Sequence, residues 1–138
     1  MARAFGLSIT PWAPLAGGAL TGKYLQGETG RVAENSARRN ERSPSIVREV
    51  VAVAQEIGCT PAQAAVRWTM QRPDGHVVPR TVAQMQDSLG ATEVRLSEEQ
   101  VRRLDKVSTI ELGFPHDFLA SDAVQDVLFG GTRALLDV

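Results

Sequence analysis

A lone cysteine, Cys59, leaves no partner for an internal disulfide and no basis for a multi-cysteine zinc site. Two histidines, His76 and His116, are too few for a histidine-rich metal centre, so no metal is expected. Charge of one sign is also missing. Fifteen Lys plus Arg stand against 16 Asp plus Glu, a formal charge of -1, so no global basic field exists to gather nucleic acid or anionic lipid. The opening residues, MARAFGLSITPWAPLAGG, hold one Arg and short apolar pieces cut by Pro11 and Pro14, without the roughly 7 to 15 residue apolar core of a secretory leader. Nor does any stretch approach the ~18 consecutive apolar residues of a membrane span. A soluble, cytoplasmic chain with neither nucleic-acid nor membrane partner is the expectation.

The chain has 138 residues, 43% of them apolar and 22% charged. That composition is near the average of packed domains and far from the charge-rich, apolar-poor corner of disorder. The length is that of one ordinary domain, too short for separate cofactor and substrate lobes.

Gly6 to Trp12 alternates Leu7 and Ile9 with Ser8 and Thr10, which predicts a short strand ending where Pro11 has no N–H to give. From Ala13 to Ser43 the text is irregular and rich in glycine, a long loop of the kind that carries function. Ser43 as cap and Pro44 at the first helical position open a helix in which Ile46, Val47, Val50, Val53, Ala54 and Ile57 recur until Gly58. Thr60, Pro61 and Gln63 form a capping-box pattern ahead of a second helix running to about Arg72. Pro73 to Gly75 reads as a turn and His76 to Pro79 as a second strand. Thr81 with Gln84, and Ser97 with Gln100, repeat the capping-box spacing before two further helices. Beyond Glu111 a Phe-rich tail follows, with one short helix near Ser121 to Phe129.

Strands alternating with helices are the mark of parallel β/α units, so the fold class is α/β. Two strands leave edges open and faces half covered. The apolar face of Val47, Val50, Ile57, Val66 and Trp68 would then have little sheet to pack on, and self-association through the open edges is expected.

Four segments, Thr10 to Tyr24 (TPWAPLAGGALTGKY), Thr60 to Trp68 (TPAQAAVRW), Arg80 to Gly90 (RTVAQMQDSLG) and Leu96 to Leu104 (LSEEQVRRL), resemble in this order the carboxyl-terminal part of the aldo-keto reductases. Ile110 to Leu119 resembles the tail of bacterial members. The resemblance implies part of a TIM (β/α)8 barrel, its seventh and eighth strands with their helices and a wrapping tail, divided here as residues 1–112 and 113–138. A complete barrel takes about 250 residues. The family's catalytic Asp, Tyr, Lys and His lie on earlier strands, and nothing in this sequence matches them. The expected role is therefore the cofactor-binding segment of an NADPH-dependent reductase of aldehydes or ketones, inactive alone, with weak or absent NADPH binding by itself. The other reading is a non-enzymatic remnant that pairs with itself or another chain.

By position in the family, Trp12, Ala13, Pro14, Leu15, Ala16, Gly17 and Lys23 would line the path from nicotinamide to pyrophosphate. The small residues let a ligand reach the backbone and its amides; alternatively the glycines merely turn the chain. Ala13 stands where the family commonly has Ser. Arg80, Thr81, Gln84, Asp87 and Ser88 would take the far end of the nucleotide, Arg80 gripping the 2′-phosphate of NADP. Either Val78 and Ser88 replace the family's usual Gly and Asn, or a few residues are missing between Pro79 and Arg80, and a capped strand-to-helix turn would explain Thr81 and Gln84 equally well. Arg31, Arg38, Arg39 and Arg42 read as a solvated charge run diluted by Glu34 and Glu41, and His116 with Asp117 as adjacent residues without a nucleophile. Phe114 and Phe118 are expected to pack against the barrel mouth, and Cys59 to be a small structural residue.

Overall fold

The computed structural model describes residues 5–7, 9, 11–30, 32–71 and 82–135. It divides into two compact units, Met1–Ser108 and Thr109–Val138. The expected second strand, His76 to Pro79, and the turn before it lie outside the described residues. The first expected strand builds no ladder among the described residues, where Ile9 alone has bridge geometry. The backbone therefore reads as helical, and the physical reason is plain: a strand is stabilised only by a hydrogen-bonded neighbour, and Pro11 lacks the N–H to extend one.

The long irregular stretch is more ordered than its text implies. It winds into three 3-10 turns, Ala16–Thr21, Lys23–Gln26 and Ala37–Arg39. Helix α1 spans Ser43–Ile57, with Pro44 in its first turn. Its cap is not Ser43. The Asn40 side-chain oxygen accepts the N–H groups of Arg42 and Ser43 at 3.0 and 3.2 Å, because Asn40 reaches forward over the turn while the Ser43 hydroxyl is spent on Arg38 O and Asn40 Oδ1.

Gly58, at φ 70, ends α1, and helix α2 follows over Pro61–Met70. The Thr60 box forms as spaced: its hydroxyl accepts the Gln63 N–H at 3.1 Å and Gln63 Oε1 accepts the Thr60 N–H at 3.0 Å. Helix α3 is Val82–Gly90 and α4 is Glu98–Ser108. The Ser97 and Gln100 pair closes reciprocally at 3.2 and 3.0 Å.

The core of the first unit is helix on helix. Val50, Val53 and Ala54 of α1 meet Ala64 and Ala65 of α2, with Leu96 and Leu104 completing the cluster and Leu15, Leu20, Ile57 and Trp68 packed around it. Val50, expected to want a sheet, is buried in this cluster, and Val47 and Val66 are buried as well. Polar ties lock it. Gln71 accepts the Leu96 N–H at 2.9 Å and donates to the Leu96 carbonyl at 3.2 Å, while Arg103 of α4 reaches Glu49 and Glu56 of α1, each at 2.7 Å.

In the second unit, α5 (His116–Ala120) and α6 (Asp122–Phe129) pack on one another. The tail thus holds two helices where one was expected, since five residues are too few to show a helical period. The Phe114 and Phe118 rings contact each other, with centroids 5.9 Å apart and planes inclined at 46°.

Candidate functional site

The turn after Trp12 is built from residues forced into left-handed backbone. Ala13 and Ala16 have φ of 56 and 50, and Gly17 and Gly18 follow at 72 and 98. A left-handed residue bearing a Cβ costs roughly 1 to 2 kcal/mol, and strain of this kind collects at ligand clamps. The turn uses some of the amides it was expected to offer: the Ala16 N–H donates to Ala13 O and the Gly18 N–H to Leu15 O, both at 2.8 Å. The Thr21 hydroxyl braces it by donating to Gly18 O at 2.8 Å.

Two cations press against this backbone. A Cβ at Gly17 would stand 3.1 Å from Arg38 Nη1 and 2.9 Å from Val32 Cγ2. One at Gly18 would stand 3.6 Å from Lys23 Nζ. Gly30 is needed for space: a Cβ there would collide with the Tyr24 hydroxyl and lie 2.7 Å from Lys23 Nζ. Among the described residues, no carboxylate pairs with Lys23 or Arg38.

The arginine run is solvent-facing at Arg38 and Arg42, as expected, with Arg39 half-buried, and its members also make contacts that composition did not announce. The Arg38 guanidinium lies over the Trp12 ring, 5.3 Å from its centre, and Arg39 lies over Tyr24 at 4.5 Å. Tyr24 in turn accepts the Val32 N–H at 3.0 Å, and Arg42 donates to the Ser108 carbonyl at 3.2 Å. Cation–π contacts thus fold the loop back on the turn, and composition alone carried no signal for that pairing. Arg31 lies outside the described residues. A cleft of about 200 Å³ opens under the loop between Tyr24, Glu34, Arg39 and Val47.

Of the nucleotide candidates, Trp12, Gly17 and Lys23 are thus gathered at one turn, with Ala13, Pro14, Leu15 and Ala16 forming its backbone. Trp12 is 87% exposed, its face available to a ligand beyond Arg38. Arg80 and Thr81 lie outside the described residues. Gln84, Asp87 and Ser88 sit on α3, which packs on α2. Asp87 accepts the Thr60 hydroxyl at 3.0 Å and so ties α3 to the start of α2, while the Ser88 carbonyl accepts the Ala91 N–H. Cys59 is half-buried and donates to the Thr60 carbonyl at 3.4 Å; burial pushes its thiol pKa up, the reverse of a reactive thiolate.

The sequence of residues 1–109 matches the model of the aldo/keto reductase family. The chain is 32% identical over 109 residues to the uncharacterized oxidoreductase YrpG of Bacillus subtilis, covering 77% of this chain and 33% of that protein. It is 25% identical over 132 residues to the putative aryl-alcohol dehydrogenase AAD10 of Saccharomyces cerevisiae, covering 88% of this chain and 46% of that protein. A further putative aryl-alcohol dehydrogenase of that yeast, YFL057C, is 24% identical, and there the match covers 88% of this chain and 87% of the relative. The chain spans less than half the length of the first two relatives.

Proposed function

Because the chain belongs to the aldo/keto reductase family, whose members imply a TIM-barrel-like α/β fold, we propose that it contributes the nicotinamide-nucleotide site of an NADPH-dependent carbonyl reductase. In this reading it forms part of the barrel, its strands and helices being the seventh and eighth units, and it is inactive by itself. The observation that carries the reading is the pair of cations, Lys23 and Arg38, held against consecutive left-handed glycines with no carboxylate partner among the described residues. Left-handed glycine backbone that a ligand can approach closely, flanked by cations, suits a phosphorylated anion, so the residues present fit the group.

Bound NADPH would supply the hydride that reduces an aldehyde or ketone. The chain's own residues bind and orient. Trp12 offers a flat apolar face at one end of the turn, with Ala13, Pro14 and Leu15 leading the backbone past it. Gly17 and Gly18 permit close approach, and Lys23 meets the negative charge. Arg80, with Thr81, Gln84 and Ser88, would receive the 2′-phosphate end. Asp87 is left to its tie with Thr60. No residue of this sequence matches the family's proton donor or its partners, so proton transfer is assigned outside these 138 residues.

The names of the yeast relatives point the substrate search toward aryl aldehydes and alcohols. The purified chain should therefore oxidise no NADPH with a panel of aliphatic and aryl aldehydes. Turnover that survives a mock-purification control would overturn the inactive reading. Exposed Phe5, Leu7 and Ile9 support self-association through that segment, which sedimentation would show as a mass above the monomer; a monodisperse monomer would contradict it.

A further inference from the structure

We propose that Arg38 is a second diphosphate-binding residue of this turn, held over Gly17 by the Trp12 ring and acting together with Lys23. The inference rests on the nucleotide reading above and adds to it a residue that the family pattern did not supply.

Arg38 belongs to a loop far along the chain from Trp12, yet three observations bring it to the turn. Its guanidinium lies over the Trp12 ring, its Nη1 closes on the space beside Gly17, and among the described residues no carboxylate neutralises it. A cation–π contact gives a guanidinium no oxygen acceptor, so its N–H groups remain able to donate to a ligand. Those donors come in a fork that matches two phosphate oxygens, whereas a lysine acts as a compact point charge. One fork beside Gly17 and one point charge beside Gly18 give two adjacent cationic positions. Two linked phosphates, the bridging unit shared by NADH and NADPH, carry charge in the same arrangement. The ring also limits the rotamers of Arg38 before the ligand arrives, which lowers the ordering cost of binding.

Arg39 supplies the contrast. It sits on the same loop, over Tyr24, and donates to the Val32 carbonyl at 3.5 Å, so it pins the loop without facing the glycine pair.

The test is calorimetric titration of the full chain and of its Arg38→Gln and Arg39→Gln variants with NADPH, NADH and inorganic pyrophosphate, folding being checked by helical circular dichroism. Arg38→Gln should weaken all three by roughly 10- to 100-fold, the loss of a charge-assisted hydrogen bond, while Arg39→Gln leaves them within about twofold of the parent. If the parent binds NADPH and Arg38→Gln binds it equally well, or if both variants weaken it alike, the role assigned to Arg38 is overturned and the nucleotide reading stands. If pyrophosphate binds in an Arg38-dependent way but neither nucleotide does, the anion site stands and the nucleotide reading falls. Binding of none of the three overturns both.

Discussion

The Trp68 indole N–H donates to Asp105 Oδ1 across 2.8 Å, joining α2 to α4 beside the helical core. A half-buried bond to a carboxylate contributes about 1.5 to 3 kcal/mol. Asp105→Ala should cost stability near the lower end of that range, and Asp105→Asn, which keeps an acceptor oxygen, less. Urea midpoints at constant slope would show the order; equal losses would mean that the bond contributes through packing alone.

Glu56 accepts from Gln100 and from Arg103, at 3.0 and 2.7 Å, and these hydrogen bonds hold its carboxyl pKa below the ordinary value of 4.5. A carboxylate with a depressed folded-state pKa stabilises the fold above its unfolded pKa and loses that contribution as pH falls through the folded one. The group is exposed, so the effect is small and salt-sensitive. The stability difference between the parent and Glu56→Gln should shrink as pH drops below about 4.5 and shrink again with added salt. A difference that stays constant with pH would contradict the assignment.

Gly17→Ala places a Cβ at φ 72, at 2.9 Å from Val32 Cγ2. The backbone term alone costs about 1 to 2 kcal/mol, and the new methyl pushes Val32 and Arg38 away from the turn. Both stability and nucleotide binding should fall. Retention of both would mean that the turn is looser than its glycines imply.

Arg80→Ala should weaken NADPH more than NADH, by about 1.5 to 3 kcal/mol, since a 2′-phosphate contact exists only for the former. Arg38→Gln should weaken the two alike. Competition titrations with both nucleotides separate the assignments, and an equal loss for Arg80→Ala would place that residue on the shared diphosphate.

What the sequence showed and what it hid divide by range. The Thr60–Gln63 and Ser97–Gln100 boxes are local, four residues each, and form as spaced because their geometry is set within one helical turn. The amphipathic face of α1 was equally legible from Val47 to Ile57. Asn40 was missed as the cap because the Ser43–Pro44 pair matches the usual start signal, and only the folded turn shows which oxygen reaches the amides. Arg38 was missed because its partner, Trp12, is distant in sequence, and a cation–π contact leaves no periodic trace. The strand expected at Gly6 to Trp12 depends on a neighbour supplied by non-local pairing, which alternation along one segment cannot report. The turn itself was read from its small residues, but the spending of the Ala16 and Gly18 amides on the chain's own carbonyls was not.

The most direct test of the account is a titration of the whole purified chain with NADPH, following nicotinamide emission, with inorganic pyrophosphate added at the end. The account predicts a weak but saturable rise in emission that pyrophosphate reverses, as expected for a nucleotide anchored by its diphosphate on Gly17, Gly18, Lys23 and Arg38 without the rest of a barrel around it. Emission that stays proportional to added NADPH, or a saturable signal that pyrophosphate leaves untouched, would contradict it.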